Sequence, residues 1–231
     1  MSRGLVQGVD GDIRSHDAAA ELGIVHQADD RVAEVLAIAA AERFEKVYPA
    51  DDPEVASFVQ RVRCLNLWMP DLQMPPLDET HLRDFLPALC RGRRSLAEVR
   101  GAAWLQHLKS LFSYQQLQSV DHAAPERIEV PSGSRIGVQY EVGRPPILAV
   151  RIQEVFGLRE TPRVARGRIP VLMHLLAPNM RVAQVTDDLA SFWANTYALV
   201  RKDLRARYPK HSWPEDPTSA VAQRGVKRKS P

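Results

Sequence analysis

The chain has 231 residues, is 45% hydrophobic and 26% charged, and carries 31 Lys and Arg against 28 Asp and Glu. That composition supplies the apolar surface for one or two folded domains and excludes a fully disordered chain. Its longest apolar run, Val35 to Ala41, falls far short of the roughly 20 residues of a membrane-spanning helix, and Met1 to Asp12 lacks the apolar stretch of an export signal, so a cytoplasmic protein with no membrane partner is expected.

The net charge of +3 conceals an asymmetry. Residues 1–130 hold 14 Lys and Arg against 20 Asp and Glu, whereas residues 131–231 hold 17 against 8. An acidic half is joined to a basic half, and a basic half either meets a phosphate-rich partner or presents a solvated face. Cys64 and Cys90 form no C-x-x-C pair. They read as small buried thiols of a reducing compartment, not as a disulfide scaffold or a zinc site.

Residues 1–28, with four glycines and no sustained period, read as a poorly ordered leader. From Asp30, Val32, Val35, Leu36, Ala39, Ala40 and Val47 recur at helical steps until Pro49. Asp52-Pro53 announces a second helix with Val55, Phe58, Val59, Val62 and Leu65 on its apolar face. Three prolines make Met69 to Leu77 a stiff connector. Short helices follow from Asp78, from Ser95 (capping box with Glu98) and from Ser113 (a second box with Gln116). Residues 29–124 thus read as a helical region.

At Pro125 the period becomes two. Ile128 and Val130, then Ile136, Val138 and Tyr140, alternate with polar residues around the turn Pro131-Ser132-Gly133-Ser134. Leu148, Ile152, Val155 and Phe156 share one helical face up to Gly157. Strands are expected at Arg163–Ala165, Pro170–Leu176 and Val182–Thr186, the last two joined by a hairpin turn at Pro178-Asn179-Met180-Arg181. Thr186 is expected to cap the longest helix, with Leu189, Phe192, Trp193, Tyr197, Val200 and Leu204 as its stripe. The predicted fold is α+β: an N-terminal helical region, then over 125–217 a small antiparallel β domain with a long C-terminal helix. Residues 218–231 form a disordered basic tail ending in Lys227-Arg228-Lys229.

Asp78-Glu79-Thr80-His81 spells the D-E-x-H of helicase motors, but Met74-Pro75-Pro76-Leu77 before it cannot be the buried strand that such a motif follows. No G-x-x-x-x-G-K-[S/T] phosphate loop is present, so the tetrad reads as a helix cap. The seven histidines show no metal-ligand spacing, and His174 reads as a core residue. No nucleophile constellation exists, and Ser132 and Ser134 are assigned to turn chemistry. No catalytic residue is therefore named. The candidate nucleic-acid-binding residues are Arg201, Lys202, Arg205, Arg207, Lys210 and His211, with Arg163, Arg166 and Arg168 as a second cluster around a Gly turn. Trp213 either stacks a base or docks the tail onto the body.

Several segments resemble, in order, the C-terminal region of the bacterial ATP-dependent helicase HrpB family, which is DEAH/DExH-type. They are Pro131-Ser132-Gly133-Ser134-Arg135-Ile136, Ala149-Val150-Arg151-Ile152-Gln153-Glu154-Val155-Phe156-Gly157, Glu160-Thr161-Pro162-Arg163 and Val185-Thr186-Asp187-Asp188-Leu189-Ala190-Ser191-Phe192-Trp193. Tyr208-Pro209-Lys210-His211-Ser212-Trp213-Pro214-Glu215-Asp216-Pro217 completes the match, which reaches back to about Asp30. At Met180-Arg181-Val182 family members tend to have a shorter or proline-containing turn. The resemblance implies an accessory region of an ATP-driven helicase acting on RNA. The family's ATPase residues have no positions here to be carried onto, so ATP and magnesium are expected only in a motor this sequence lacks. The expected partners are RNA or another single-stranded nucleic acid and a separate motor chain. The rival readings are a stand-alone RNA- or DNA-binding module and a structural protein-interaction domain.

Overall fold

A computed structural model describes residues 29–225, so the expected leader over 1–28 and Lys227-Arg228-Lys229 lie outside the described residues. Helix α1 covers 29–42. It is followed by α2 (Phe44–Val47), α3 (Pro53–Trp68), α4 (Glu79–Arg83), α5 (Leu86–Cys90), α6 (Leu96–Arg100), α7 (Trp104–Lys109) and α8 (Tyr114–Ala123). The strands are β1 (Arg127–Glu129), β2 (Arg135–Gln139), β3 (Ile147–Arg151), β4 (Arg163–Val164), β5 (Ile169–Pro170), β6 (Leu172–Leu176) and β7 (Val182–Thr186). A last helix runs unbroken through α9 (Leu189–Ser191), a π-helical segment (Phe192–Thr196) and α10 (Tyr197–Arg207).

The chain forms two compact units. One takes the described residues up to Asp52 together with Asp78–Leu108; the other takes Pro53–Leu77 and everything described from Lys109 onward. The change of period at 125 therefore does not divide the units, because α3 and α8 belong with the sheet.

In the first unit, α1 and α2 bury Ala33, Leu36, Ala37, Ala40, Phe44 and Val47. The face expected through Val32 and Val35 is displaced: both are exposed, as is Ile38. An Ala- and Val-rich run offers two apolar stripes, and the one in register with Phe44 and Val47 goes inside. Phe44 stacks on Tyr48 at 5.3 Å, Trp104 meets Tyr48 edge-on at 5.5 Å, and the Arg83 guanidinium lies over Phe44 at 4.9 Å. Asp78 is the N-cap of α4, its carboxylate accepting from the His81 N–H at 3.0 Å and lying 2.7 Å from the His81 ring nitrogen. The D-E-x-H tetrad is a cap. Ser95 also caps as expected, but the Glu98 carboxylate reaches back to the Arg94 N–H and not to that of Ser95, so this box is only half closed. Ser113 and Gln116 form the full reciprocal box.

The second unit is built on a five-stranded sheet of order β1-β2-β3-β6-β7 and a small β4-β5 hairpin. All neighbours are antiparallel except β3 and β6, which are parallel. The helix expected from Leu148 is instead β3 and a 3-10 turn over Ile152–Val155. A strand buried between two neighbours reads as a continuous apolar run, and Ile147-Leu148-Ala149-Val150 mimics one turn of helix. Leu148, Val150, Met173 and Leu175 form the sheet's buried face. The β6–β7 hairpin forms where expected, with Met180 at φ +67° and a bulge at Leu175/Leu176. His174 is half-buried, not a core residue. The last helix is capped by Asp188, which accepts from Ser191 N–H at 2.9 Å; Thr186 instead ties its hydroxyl to the Asp188 backbone.

One polar side chain organises this unit. Arg61 on α3 is only 2% exposed, and its guanidinium donates to Ala124 O at 2.6 Å, Val120 O at 3.3 Å, Asp121 Oδ1 at 2.8 Å and Glu126 Oε1 at 2.7 Å. It thereby joins α3, the end of α8 and the approach to β1. A flat five-donor group can reach four acceptors at once, whereas a lysine ammonium cannot. Arg61→Lys should cost about 2–3 kcal/mol in urea unfolding, because buried carbonyls lose donors. Asp121→Asn, whose side chain is 74% exposed, should cost less than 1 kcal/mol, roughly the worth of an exposed ion pair.

Candidate nucleic-acid interface

The last helix is anchored by aromatic packing. The π-helical segment adds a residue to one turn; Trp193 and Tyr197 pack on Phe156, each with ring centroids 6.2 Å from it, and Phe192 packs on Trp193 and Tyr197 at 4.8 and 6.1 Å. The chain then folds back along the helix. Trp213 is buried and donates to Tyr208 O at 2.9 Å, and Tyr197 Oη donates to Pro214 O at 3.0 Å. Trp213 thus docks the segment after the helix onto the body, the second of its two expected roles.

This packing divides the candidate cations by task. Arg201 donates to Trp213 O at 3.0 Å and pairs with Glu215 at 3.0 Å, so it holds the returning segment. Lys202 and Arg205 are exposed and, with Arg201, Ala198, Ala206 and Pro209, line a hollow of about 530 Å³. Arg207 and Lys210 are exposed. His211 lies half-buried between the Tyr208 and Trp213 rings, its Nδ1 buried without a partner among the described residues. Burial, and then the charge of Arg151, hold its pKa below the ordinary 6.5, so at neutral pH it adds no charge to the row.

The second cluster sits on the β4–β5 turn. Ala165, Arg166 and Gly167 follow one another at φ +51°, +55° and +83°, an arrangement that only glycine adopts without strain. It persists because it is tied down on every side. Arg163 donates to Gly167 O at 2.6 Å and to Arg168 O at 3.1 Å, closing the turn on itself. Ala165 N–H donates to Ala123 O at the end of α8. Arg168 donates to Trp68 O at 3.2 Å and pairs with Asp71 at 3.1 Å, which holds the Asp71 carboxyl below its usual range. Arg163 and Arg168 build the turn; Arg166, at its tip, is exposed, makes no side-chain hydrogen bond among the described residues, and adds its charge to the lowering of the Asp71 pKa. It lines a second hollow, of about 810 Å³, that shares no residue with the first.

Ser132 and Ser134 do serve a turn, against a buried acid. Glu154, only 4% exposed, accepts from Ser132 Oγ at 3.0 Å and from Arg151 Nε at 2.8 Å. Burial pushes its pKa up, but hydrogen bonds from Ser134, Arg151 and Ser132 outweigh that and hold it below the ordinary value. Gly133, at φ +75°, leaves room for Arg224, which donates to Ser132 O at 3.0 Å.

Among the described residues no group of three or more His, Cys, Asp or Glu side chains could hold a metal ion, and no helix is long and apolar enough to cross a membrane. Against known families, the ATP-dependent helicase C-terminal model HrpB_C matches residues 85–217. The chain belongs to the HrpB C-terminal family. It is 37% identical over 174 residues to the ATP-dependent RNA helicase HrpB of Escherichia coli K12, covering 74% of this chain and 22% of that protein. The crystal structure of the E. coli DExH-box NTPase HrpB superposes with a TM-score of 0.71 at 36% identity, over 74% of this chain and 22% of that one. A second, of the E. coli DEAH/RHA helicase HrpB, gives 0.67 at 32%, over 80% and 24%. The chain therefore corresponds to under a quarter of the length of these HrpB relatives.

Reading the HrpB-like sequence alone overlooks the polar face of α8 on the second hollow. Gln115, Gln118, Ser119 and His122 stand there at steps of three and four, with Ser113, Gln116, Leu72, Asp71 and Arg166 completing the lining. The helical period of uncharged polar residues was the available signal.

The depressed pKa of His211 makes stability pH-dependent. Below the unfolded value of 6.5 the unfolded chain takes up the proton first, so stability falls as the solution is acidified. The urea midpoint should drop between about pH 7 and pH 5.5, and the drop should be shallower in His211→Gln.

Proposed function

We propose that this chain is an accessory, non-catalytic region of an HrpB-like helicase that packs beside a motor and presents its basic C-terminal face to RNA in the cytoplasm. Family membership supports the helicase setting. The observation that carries the RNA contact is the row Lys202, Arg205, Arg207 and Lys210, exposed along a helix and its exit while Arg201 and Trp213 hold that helix in place. Cations with no partner among the described residues are available to neutralise phosphates and release counterions. ATP and magnesium belong, in this reading, to the motor. Nothing in the 231 residues spells a loop that would cradle a triphosphate, so this polypeptide alone does not turn over ATP.

A second reading, a module that binds RNA or DNA without any motor, rests on the same row and on the charge excess of residues 131–231. Association with a separate motor polypeptide in a pull-down favours the first reading. RNA affinity undiminished without such a partner favours the second.

Affinity for a labelled single-stranded RNA should fall linearly in log–log with salt. Lys202→Glu combined with Arg205→Glu should weaken it at least about tenfold and flatten the slope, with the thermal midpoint unchanged. Unchanged affinity in that variant removes the helix face from the interface, and ATP hydrolysis at enzyme-like turnover by the purified chain defeats the non-catalytic assignment.

A further inference from the structure

The larger hollow is built by three pieces of the second unit: the 3-10 segment Pro70–Leu72, the exposed face of α8 and the tip of the β4–β5 turn. Its groups differ in how far the fold already uses them. Ser113 and Gln116 are taken by the capping box, and Asp71 is paired with Arg168 and also lies within the field of Arg166. Gln118 Nε2 donates to Tyr114 Oη at 2.9 Å, and His122 Nδ1 lies 2.7 Å from Gln118 O, which leaves His122 Nε2 without a partner among the described residues. Among the described residues Gln115 and Ser119 make no side-chain hydrogen bond, and neither does Arg166. The unused set is therefore one guanidinium, one amide, one hydroxyl and one imidazole nitrogen around a single concavity.

Arg166 stands out. A non-glycine residue at φ +55° between two other left-handed residues is strained, and three independent ties, from Arg163, Ala165 and Arg168, hold it there. Such over-determined strain aims one side chain at a fixed place. Tyr114, whose hydroxyl accepts from the lining residue Gln118, is 74% exposed and offers an aromatic face for stacking next to the hollow. A positive fork, free amide and hydroxyl groups and an exposed aromatic ring together match what reads an unpaired strand: a phosphate, base edges and a 2′-hydroxyl, and a base face.

We propose that this hollow is a docking site for single-stranded RNA, with Arg166 on a backbone phosphate, Gln115, Ser119 and His122 on sugar and base edges, and Tyr114 stacked on a base. The proposal rests on the reading that the chain contacts RNA, but it places the selective contact here and leaves Lys202 and Arg205 as non-selective phosphate ligands. An open, concave and largely uncharged surface suits splayed single-stranded bases; a duplex offers it only phosphates.

The test uses the full chain and a fluorescein-labelled mixed-sequence RNA of about 12 nucleotides, read by anisotropy across a salt series. Asparagine tolerates a left-handed backbone, so Arg166→Asn keeps the turn while removing the cation. It should weaken RNA binding about tenfold and reduce the log–log salt slope by about 0.7, the value of one single-strand phosphate contact, with an unchanged or higher thermal midpoint. Tyr114→Leu should weaken binding by about fivefold or more without changing that slope, as loss of a stacked base does. DNA of the same sequence should bind less tightly than RNA to the unaltered chain and equally to Ser119→Ala. RNA binding by the unaltered chain that both Arg166→Asn and Tyr114→Leu leave intact overturns this site while the basic helix face stands. Absence of RNA binding by the unaltered chain overturns both. Displacement of the RNA by inorganic phosphate at matched phosphate concentration makes the hollow a free-anion site and also overturns the proposal.

Discussion

The second unit depends on one guanidinium. Arg61 lies inside the fold, yet its charge is shared with two carboxylates that remain in water, and its other N–H groups satisfy the carbonyls at the end of α8. Burying a charge is tolerable on those terms, because the acids keep their hydration while each guanidinium nitrogen of the cation donates a hydrogen bond. The interaction also decides where α8 stops. Ala124 O is held by Arg61, and the neighbouring Ala123 O is thereby presented to the Ala165 N–H. A buried residue on α3 thus sets the stage for a surface residue about a hundred positions later.

Arginine takes three parts in this protein. At Arg61 it is a junction, and at Arg163, Arg168 and Arg201 it is a brace that donates to backbone carbonyls and fixes a turn or a returning segment. At Arg166 and Arg205 it is exposed and available. The difference lies in the neighbouring backbone. Where a loop leaves carbonyls without partners, a nearby fork is drawn in to satisfy them. Counting basic residues therefore overstates the charge on offer to a ligand, and the HrpB-like surface is set by the few cations the fold has left over.

What was readable from residue order follows the same logic. Local signals held: Asp78, Ser113, the β6–β7 hairpin and strand Val182–Thr186 each depend on neighbours within a few positions. The α+β class was readable too, since period two replaces period 3.6 at Pro125. Features set by distant partners were not. β3 is a strand because β2 and β6 flank it, and nothing within Ile147–Arg151 distinguishes it from a turn of helix. The inward face of α1 was chosen by continuity with Phe44 and Val47, not by hydropathy. Thr186 and Asp188 are both good caps, and the choice fell to Asp188 because Thr161 takes the Leu189 N–H from outside the helix. The basic clusters are plain in the residue order, but the carbonyls that brace Arg163, Arg168 and Arg201 carry no mark in a sequence.

The interleaving of the two units has a consequence for synthesis. Arg61 emerges from the ribosome some 59–65 residues ahead of the groups it bonds, a wait of roughly 3–13 s at typical bacterial-to-eukaryotic elongation rates. During that interval α3 carries an unmatched charge beside an apolar face, while Asp78–Leu108, which belongs to the other unit, is being made. Translation speed across this stretch, and any nascent-chain chaperone that shelters α3, thus bear on the yield of folded protein without altering a single contact in the finished molecule.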